Sequence, residues 1–233
     1  MKLLAIDTAT ENCSAALLIE GELRVRERLL ERGHAAHILA MVDALLAEAG
    51  IALGTLDAVA FGRGPGAFTG VRLAAAVTQG LAFGAGLPVV PISDLRALAQ
   101  RVIEPPASCM RVLACLDARM QEVYFGAFAR SGEGLAAADG EEQVAPAAAV
   151  RLPPGWGSAG AGQPCGVGPG FNAYPELLRL LGSGTCRGDL LPRAQEIARL
   201  AVSEVKAGRA LPPEQALPLY LRNNVTQPPR TRH

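Results

Sequence analysis

Two strand-led α/β modules joined near a proline pair are what this sequence predicts. Three observations carry that expectation. Short apolar runs alternate with longer runs of helical period through residue 102, Glu104-Pro105-Pro106 interrupts the chain where no helix can continue, and a new strand-like run, Arg111–Leu116, follows.

In order, Lys2–Ile6, Ser14–Glu20 and Glu22–Leu29 read as strands, with a tight turn at Glu20-Gly21 that makes the start antiparallel. A helix over His34–Ala49 follows from the i, i+3, i+4, i+7 spacing of Ile38, Met41, Val42, Leu45, Leu46 and Ala49, and Gly50 ends it. Asp57–Phe61 is a buried strand, Gly62–Gly66 a glycine turn, and Thr69–Ala85 a second helix stopped by Gly86. Pro88–Pro91 and Ser93–Val102 add a strand and a helix. In the second module Arg111–Leu116 and Glu122–Ala129 form a strand pair, Ser131–Ala149 is irregular, Pro153–Gly170 is turns, and Tyr174–Leu181 and Ala194–Ala207 are helical. The organisation expected is an amino-terminal lobe over 1–104, completed by a helix near 194–207, a carboxyl-terminal lobe over 107–222, and a flexible tail over 223–233.

Composition bounds the function. The 233 residues are 50% hydrophobic and carry 22 Lys+Arg against 22 Asp+Glu, which excludes disorder for the bulk and leaves no basic excess for binding nucleic acid unaided. Arg222, Arg230 and Arg232 make the carboxyl end locally basic, but three charges add only modest, salt-sensitive RNA affinity. Five cysteines without a C-x-x-C pair suggest reduced thiols. With no signal-peptide core and no long apolar run, the expected location is cytoplasmic.

Few residues carry chemistry. Gly62-Arg63-Gly64-Pro65-Gly66-Ala67-Phe68-Thr69-Gly70 lies between a strand and a helix, where Gly64, Gly66 and the first helix amides could meet a phosphate. It lacks the G-K-[ST] of a phosphate loop, and the plainer reading is a tight connection capped by Thr69. Asp7-Thr8-Ala9-Thr10 ends the first strand and Asp117 ends the first strand of the second module. Paired acidic strand ends, with Asp7, Thr8, Thr10 and Asp117 as ligands, would suit a cleft for phosphate and a divalent cation; turn capping explains them as well. His34 and His37 fall on one helix face without a third partner, so no metal site is expected.

The two long helices are more informative. Between Ala35 and Ala49 only Asp43 and Glu48 are charged, and between Val71 and Ala85 only Arg72 is. A surface helix needs a single apolar stripe, so each of these must bury a second face against another helix layer. Candidate partner-facing residues are His34, Ala36, His37, Ala40, Met41 and Ala47 on the first helix, and Arg72, Ala74, Ala75, Thr78, Gln79 and Ala82 on the second.

Four blocks resemble one family: Ala5-Ile6-Asp7-Thr8-Ala9-Thr10, the run Gly62–Arg72, Asp117-Ala118-Arg119-Met120-Gln121-Glu122-Val123-Tyr124, and Tyr220-Leu221-Arg222-Asn223-Asn224-Val225. In order and spread over nearly the whole chain, they are similar to the bacterial TsaB (YeaZ) family; Gly166-Val167-Gly168-Pro169-Gly170 also fits its late glycine turn. The resemblance implies an actin-like, sugar-kinase-like α/β fold of two similar lobes, with mixed sheets flanked by helices. It implies a non-catalytic subunit for making N6-threonylcarbamoyladenosine beside the anticodon of tRNAs that read codons beginning with A. It further implies docking onto a TsaD-like transferase through the amino-lobe helices and a TsaE-like ATPase in the same complex; for the isolated chain, homodimer and monomer both stay open. ATP and Mg would belong to those partners, tRNA contact would be indirect, and no cofactor, metal or membrane is expected for this chain. Two departures weaken a nucleotide site: Ala67 stands where the family has serine, and Asp-Thr-Ala-Thr lacks a glycine usual in active members of the wider fold. An independent Mg-dependent ATPase or small-molecule kinase is the competing expectation, and a metallopeptidase fails for want of ligands.

Overall fold

The structure, a computed structural model, describes residues 1–105, 109–156 and 162–222, so the tail expected over 223–233 lies outside the described residues. β1 (Lys2–Asp7), β2 (Asn12–Ile19) and β3 (Glu22–Leu29) open the chain, followed by α1 (His34–Ala49), β4 (Ala58–Gly62), α2 (Phe68–Ala85) and β5 (Val89–Ile92). These five strands form one sheet in the order β3-β2-β1-β4-β5, antiparallel at β1–β2–β3 and parallel at β1–β4–β5. Glu20 and Gly21 both take positive φ, 50° and 94°, at the hairpin expected there. The parallel strands read as continuous apolar runs because helices cover both faces.

α3 (Asp94–Ile103) follows, then β6 (Arg111–Asp117), β7 (Glu122–Arg130), β8 (Ala136–Ala138), β9 (Gln143–Pro146), β10 (Cys165–Val167), α4 (Gly170–Ala173), β11 (Cys186–Arg187) and α5 (Ala194–Lys206). The second sheet runs β11-β10-β6-β7-β8, with β9 also paired to β7. Thus 131–149 is more ordered than expected, and the helical stretch expected over 174–181 is a 3-10 helix over Pro175–Leu181.

Alternation along each strand builds the layers. On β1, Leu4 and Ile6 face Ile38, Val42 and Leu45 of α1 and Ala74, Ala75 and Ala82 of α2. Leu3 and Ala5 face Ile197, Ala198, Leu200 and Ala201 of α5. On the second sheet Val112, Ala114 and Leu116 meet Leu95, Leu98 and Val102 of α3, while Leu113 and Cys115 meet Phe171, Leu177 and Leu181. The helices exchange lobes: α5, late in the chain, covers the first sheet, and α3, grouped with the first module by chain order, covers the second. The mixed α/β fold of two helix-flanked sheets is the one expected.

Two local expectations need correction. Thr69 does not cap α2; Ala67 holds that position with no side-chain bond, because Thr69 already lies inside the first turn. Cys109 and Cys165 form a disulfide, since the segment after α3 brings Cys109 beside β10, leaving Cys13, Cys115 and Cys186 as free thiols.

After α5 the chain straps the two lobes together. Leu211 exchanges backbone bonds with Val89 at the free edge of β5, the Leu219 amide donates to the Arg63 carbonyl at 2.7 Å, and Arg222 donates to the Ala118 carbonyl at 3.0 Å and to the Glu122 carboxylate. Arg119, Met120 and Gln121, in the β6–β7 turn that Arg222 grips, all take positive φ.

Candidate partner interface

α1 and α2 lie side by side on one face of the first sheet, so their outward faces form one surface. That surface is apolar. Leu39 is 49% exposed, Phe83 77% and Phe68 54%, with Ala36, Ala40, Ala44, Ala47 and Ala76 exposed around them. Monomeric proteins seldom leave large contiguous apolar surface in water. Asp43, Glu48 and Arg72 are the exposed charges of the two helices, and Glu48 is paired with Arg26 of β3.

The strap meets α2 along an open groove of about 450 Å³ lined by Arg72, Ala76, Gln79, Leu217 and Tyr220. Its rim is ordered by stacking. The Arg72 guanidinium lies 3.7 Å from the Phe68 ring centre and its Nε donates to the Tyr220 hydroxyl at 2.7 Å. Gln79 Nε2 donates to the Pro213 carbonyl, which fixes the strap's near end to the helix.

The expected partner-facing residues divide. Ala36, Ala40, Ala47 and Arg72 are exposed, and His34, His37, Met41 and Gln79 are half-buried. Ala74, Ala75, Thr78 and Ala82 are corrections: all are buried, at 0%, 4%, 0% and 0% exposure, because this side of α2 meets the sheet. His34 is turned inward, its Nε2 sharing a hydrogen bond with the Thr10 carbonyl at 2.8 Å. Leu39, Phe68, Ala76, Phe83 and Tyr220 are not among the partner-facing residues expected from sequence; the 68, 72, 76, 80, 83 spacing on α2 was the available signal.

The strand-end turn is closed on itself. Asp7 and Thr8 are buried, the Ala9 amide donates to Asp7 Oδ1 at 2.8 Å, and the Thr8 hydroxyl donates to the Gly70 carbonyl at 2.7 Å. Thr10 Oγ1 accepts the Asn12 amide, the Gly64 amide donates to Asp94 Oδ2, and Gly66 sits against the Ala9 carbonyl. The groups expected to hold phosphate are thus largely spent on the junction between β1, the glycine turn and α2. Asp117 sits apart, half-buried, accepting the Arg119 amide, the Arg119 guanidinium and the Tyr174 hydroxyl. Among the described residues, no group of three or more His, Cys, Asp or Glu is placed to hold a metal ion.

Asp94 is the unforeseen member of this turn. Asp7 Oδ2 and Asp94 Oδ1 are buried without a hydrogen-bond partner among the described residues, and the two carboxyls interact, so a proton held between them would satisfy both. Burial pushes Asp7 up to about 6, opposed by the Ala9 amide and by Asp94. Burial, then the Asp7 charge, pushes Asp94 well above the usual range, making Asp94 the proton holder. Both folded-state values are raised, so the stabilisation carried by the protonated carboxyls is complete below pH 4; Asp7's share is lost as pH rises through about 6 and Asp94's at higher pH. Asp94→Asn keeps a donor toward Asp7 and an acceptor for Gly64, and should remove Asp94's share of that loss while leaving Asp7's. Urea unfolding from pH 4.5 to 8 checks it; Asp94→Asn as destabilising as Asp94→Ala would exclude a shared proton.

Comparison with known proteins then decides the family. A protein of Escherichia coli K12 named tRNA threonylcarbamoyladenosine biosynthesis protein TsaB is 39% identical over 228 residues, covering 97% of this chain and 96% of its own length. One of the same name from Haemophilus influenzae is 41% identical over 238 residues, covering 97% and 95%. The chain belongs to the TsaB (YeaZ) family. Residues 26–168 also match the family described as TsaD: tRNA N6-adenosine threonylcarbamoyltransferase. The solved structure of YeaZ from Pseudomonas aeruginosa superposes with a TM-score of 0.86 at 43% identity, covering 94% of this chain and 99% of that one. TsaB-family membership therefore applies to both lobes. No helix among the described residues is long and apolar enough to cross a membrane.

Proposed function

We propose that this chain is a non-catalytic subunit in the formation of N6-threonylcarbamoyladenosine beside the anticodon of tRNAs that read codons beginning with A. It docks onto a TsaD-like transferase through the outward face of α1 and α2 and supports that enzyme's activity. The observation that carries the reading is the apolar double-helix face, with Leu39 and Phe83 presented to solvent on a chain of the TsaB family. A non-catalytic role is supported by the strand-end turn, where Asp7, Thr8 and Gly64 are bonded to the protein itself. In the proposed complex ATP and Mg belong to the transferase and a TsaE-like ATPase. The balance of 22 basic and 22 acidic residues fits a subunit whose contact with tRNA is indirect, and the cytoplasm is the location that goes with this reading.

Depletion tests the reading. Threonylcarbamoyladenosine in bulk tRNA should fall, and both the wild-type chain and Asp7→Asn should restore it. Saturable Mg-ATP turnover by the isolated chain, lost in Asp7→Asn together with rescue, would instead establish the independent kinase or ATPase reading.

A further inference from the structure

A second cavity, of about 360 Å³, opens where the end of β5 meets the second lobe. Arg63, Ile92 and Ser93 line it from the first lobe's strand ends, and Phe128 and Glu142 line it from the second lobe. It shares no lining residue with the groove on the docking face.

Two atoms here are unusual. Arg63 Nε and Glu142 Oε2 are each buried without a hydrogen-bond partner among the described residues. Each buried polar group left unmatched costs about 1–3 kcal/mol, so a donor and an acceptor lining one cavity call for a ligand that meets both. The other charges in the wall are already engaged. Arg96 donates to the Ala136 carbonyl at 2.7 Å and to Glu204 at 2.6 Å, and Glu204 also accepts from Arg209. What is left unmatched is therefore one guanidinium N–H, at Arg63 Nε, and one carboxylate oxygen, at Glu142 Oε2. A lone anion would face Glu142, and a lone cation would face Arg63; a molecule bearing both charges is matched. Ile92 and Phe128 give the wall an apolar part beside these charges, and the volume is at the lower end for small-molecule sites, about 300–1,000 Å³.

We propose that this interlobe pocket binds a free α-amino acid with a short side chain, its carboxylate on Arg63 and its ammonium on Glu142. Arg63 suits the carboxylate because its planar fork matches two oxygens. Burial pushes the Glu142 carboxyl up, while the Ser93 hydroxyl, Arg63 and Arg96 act against that rise. A bound ammonium would add to the second group, so ligand and ionised Glu142 stabilise each other. Because residues from both lobes close on it, the ligand would also hold the lobes at one angle. The proposal does not depend on the transferase-partner reading and stands or falls separately.

Thermal unfolding of the full chain tests it, with glycine, L-alanine, L-threonine and L-valine as probes at about 20 mM, and acetate and methylammonium as single-charge controls. At least one amino acid should raise the midpoint by about 2 °C or more, and neither control should. Glu142→Gln and Arg63→Met should each abolish the rise. Where Arg63→Met does not fold, Arg63→Lys, which keeps the charge but not the fork, should need about tenfold more ligand for the same rise. No rise with any amino acid means that the pocket takes water only and overturns the proposal. So does an equal rise with acetate, or a rise that survives Glu142→Gln and the Arg63 variant.

Discussion

Phe83→Glu is expected to weaken binding of the TsaD-like transferase at least about 100-fold while the isolated chain keeps its fold. Phe83 is 77% exposed on α2, so replacing it removes little from the core. In the complex the same ring would be desolvated. Full burial of a phenylalanine contributes about 1.5–3 kcal/mol, and a carboxylate placed there would be buried without a partner, so the combined loss exceeds the roughly 2.7 kcal/mol that corresponds to 100-fold. Leu39→Glu, on the neighbouring helix, should act in the same direction. Ala75→Glu should behave differently: at 4% exposure against the first sheet, its charge would unfold the amino lobe rather than block docking. Affinity by calorimetry and fold by circular dichroism separate the cases. Unchanged affinity in both Phe83→Glu and Leu39→Glu would place the transferase contact elsewhere.

Gly70→Ala should destabilise the chain by about 3 kcal/mol or more, the upper end for an overpacked site. A Cβ at Gly70 would stand 2.0 Å from the Thr8 carbonyl oxygen and 3.0 Å from the Thr8 carbonyl carbon. Both are backbone atoms. The Thr8 hydroxyl also ties the turn to Gly70 through its carbonyl, so α2 would have to lift away from β1 to make room. Gly66, where a Cβ would approach the Ala9 carbonyl to 2.5 Å, belongs to the same contact. Gly80→Ala is the control. Nothing lies within 4 Å of a Cβ there, and removing a glycine from a helix interior should add about 0.5–1 kcal/mol of stability. Denaturant midpoints measure both, and a Gly70→Ala midpoint equal to wild type would mean that the turn yields.

The glycine turn shows how much of this was legible. Its tight strand-to-helix connection could be read from Gly62–Gly70, and the plain packing role of those glycines is the one the distances support. Asp7 could be placed at a strand end from its neighbours alone. Its proton-sharing partner Asp94 could not, because Asp94 reaches the turn only once β5 lies beside β4 in the first sheet. Arg63 and Glu142 stayed hidden for the same reason, since a charge is informative only when its lack of a partner in three dimensions is known.

The helices mark the division most clearly. Sequence by itself determined that α1 and α2 exist, nearly where they end, and that they are too apolar to be satisfied by one covered face. It did not determine which face turns inward. With alanine, leucine, glycine and phenylalanine all around α2, hydrophobicity has almost no angular contrast, and the inward set was chosen by what fits the sheet. Val71, Ala74, Ala75, Thr78 and Ala82 fit because small side chains let the helix approach β4 closely; Phe68, Ala76 and Phe83 are what that choice left outside.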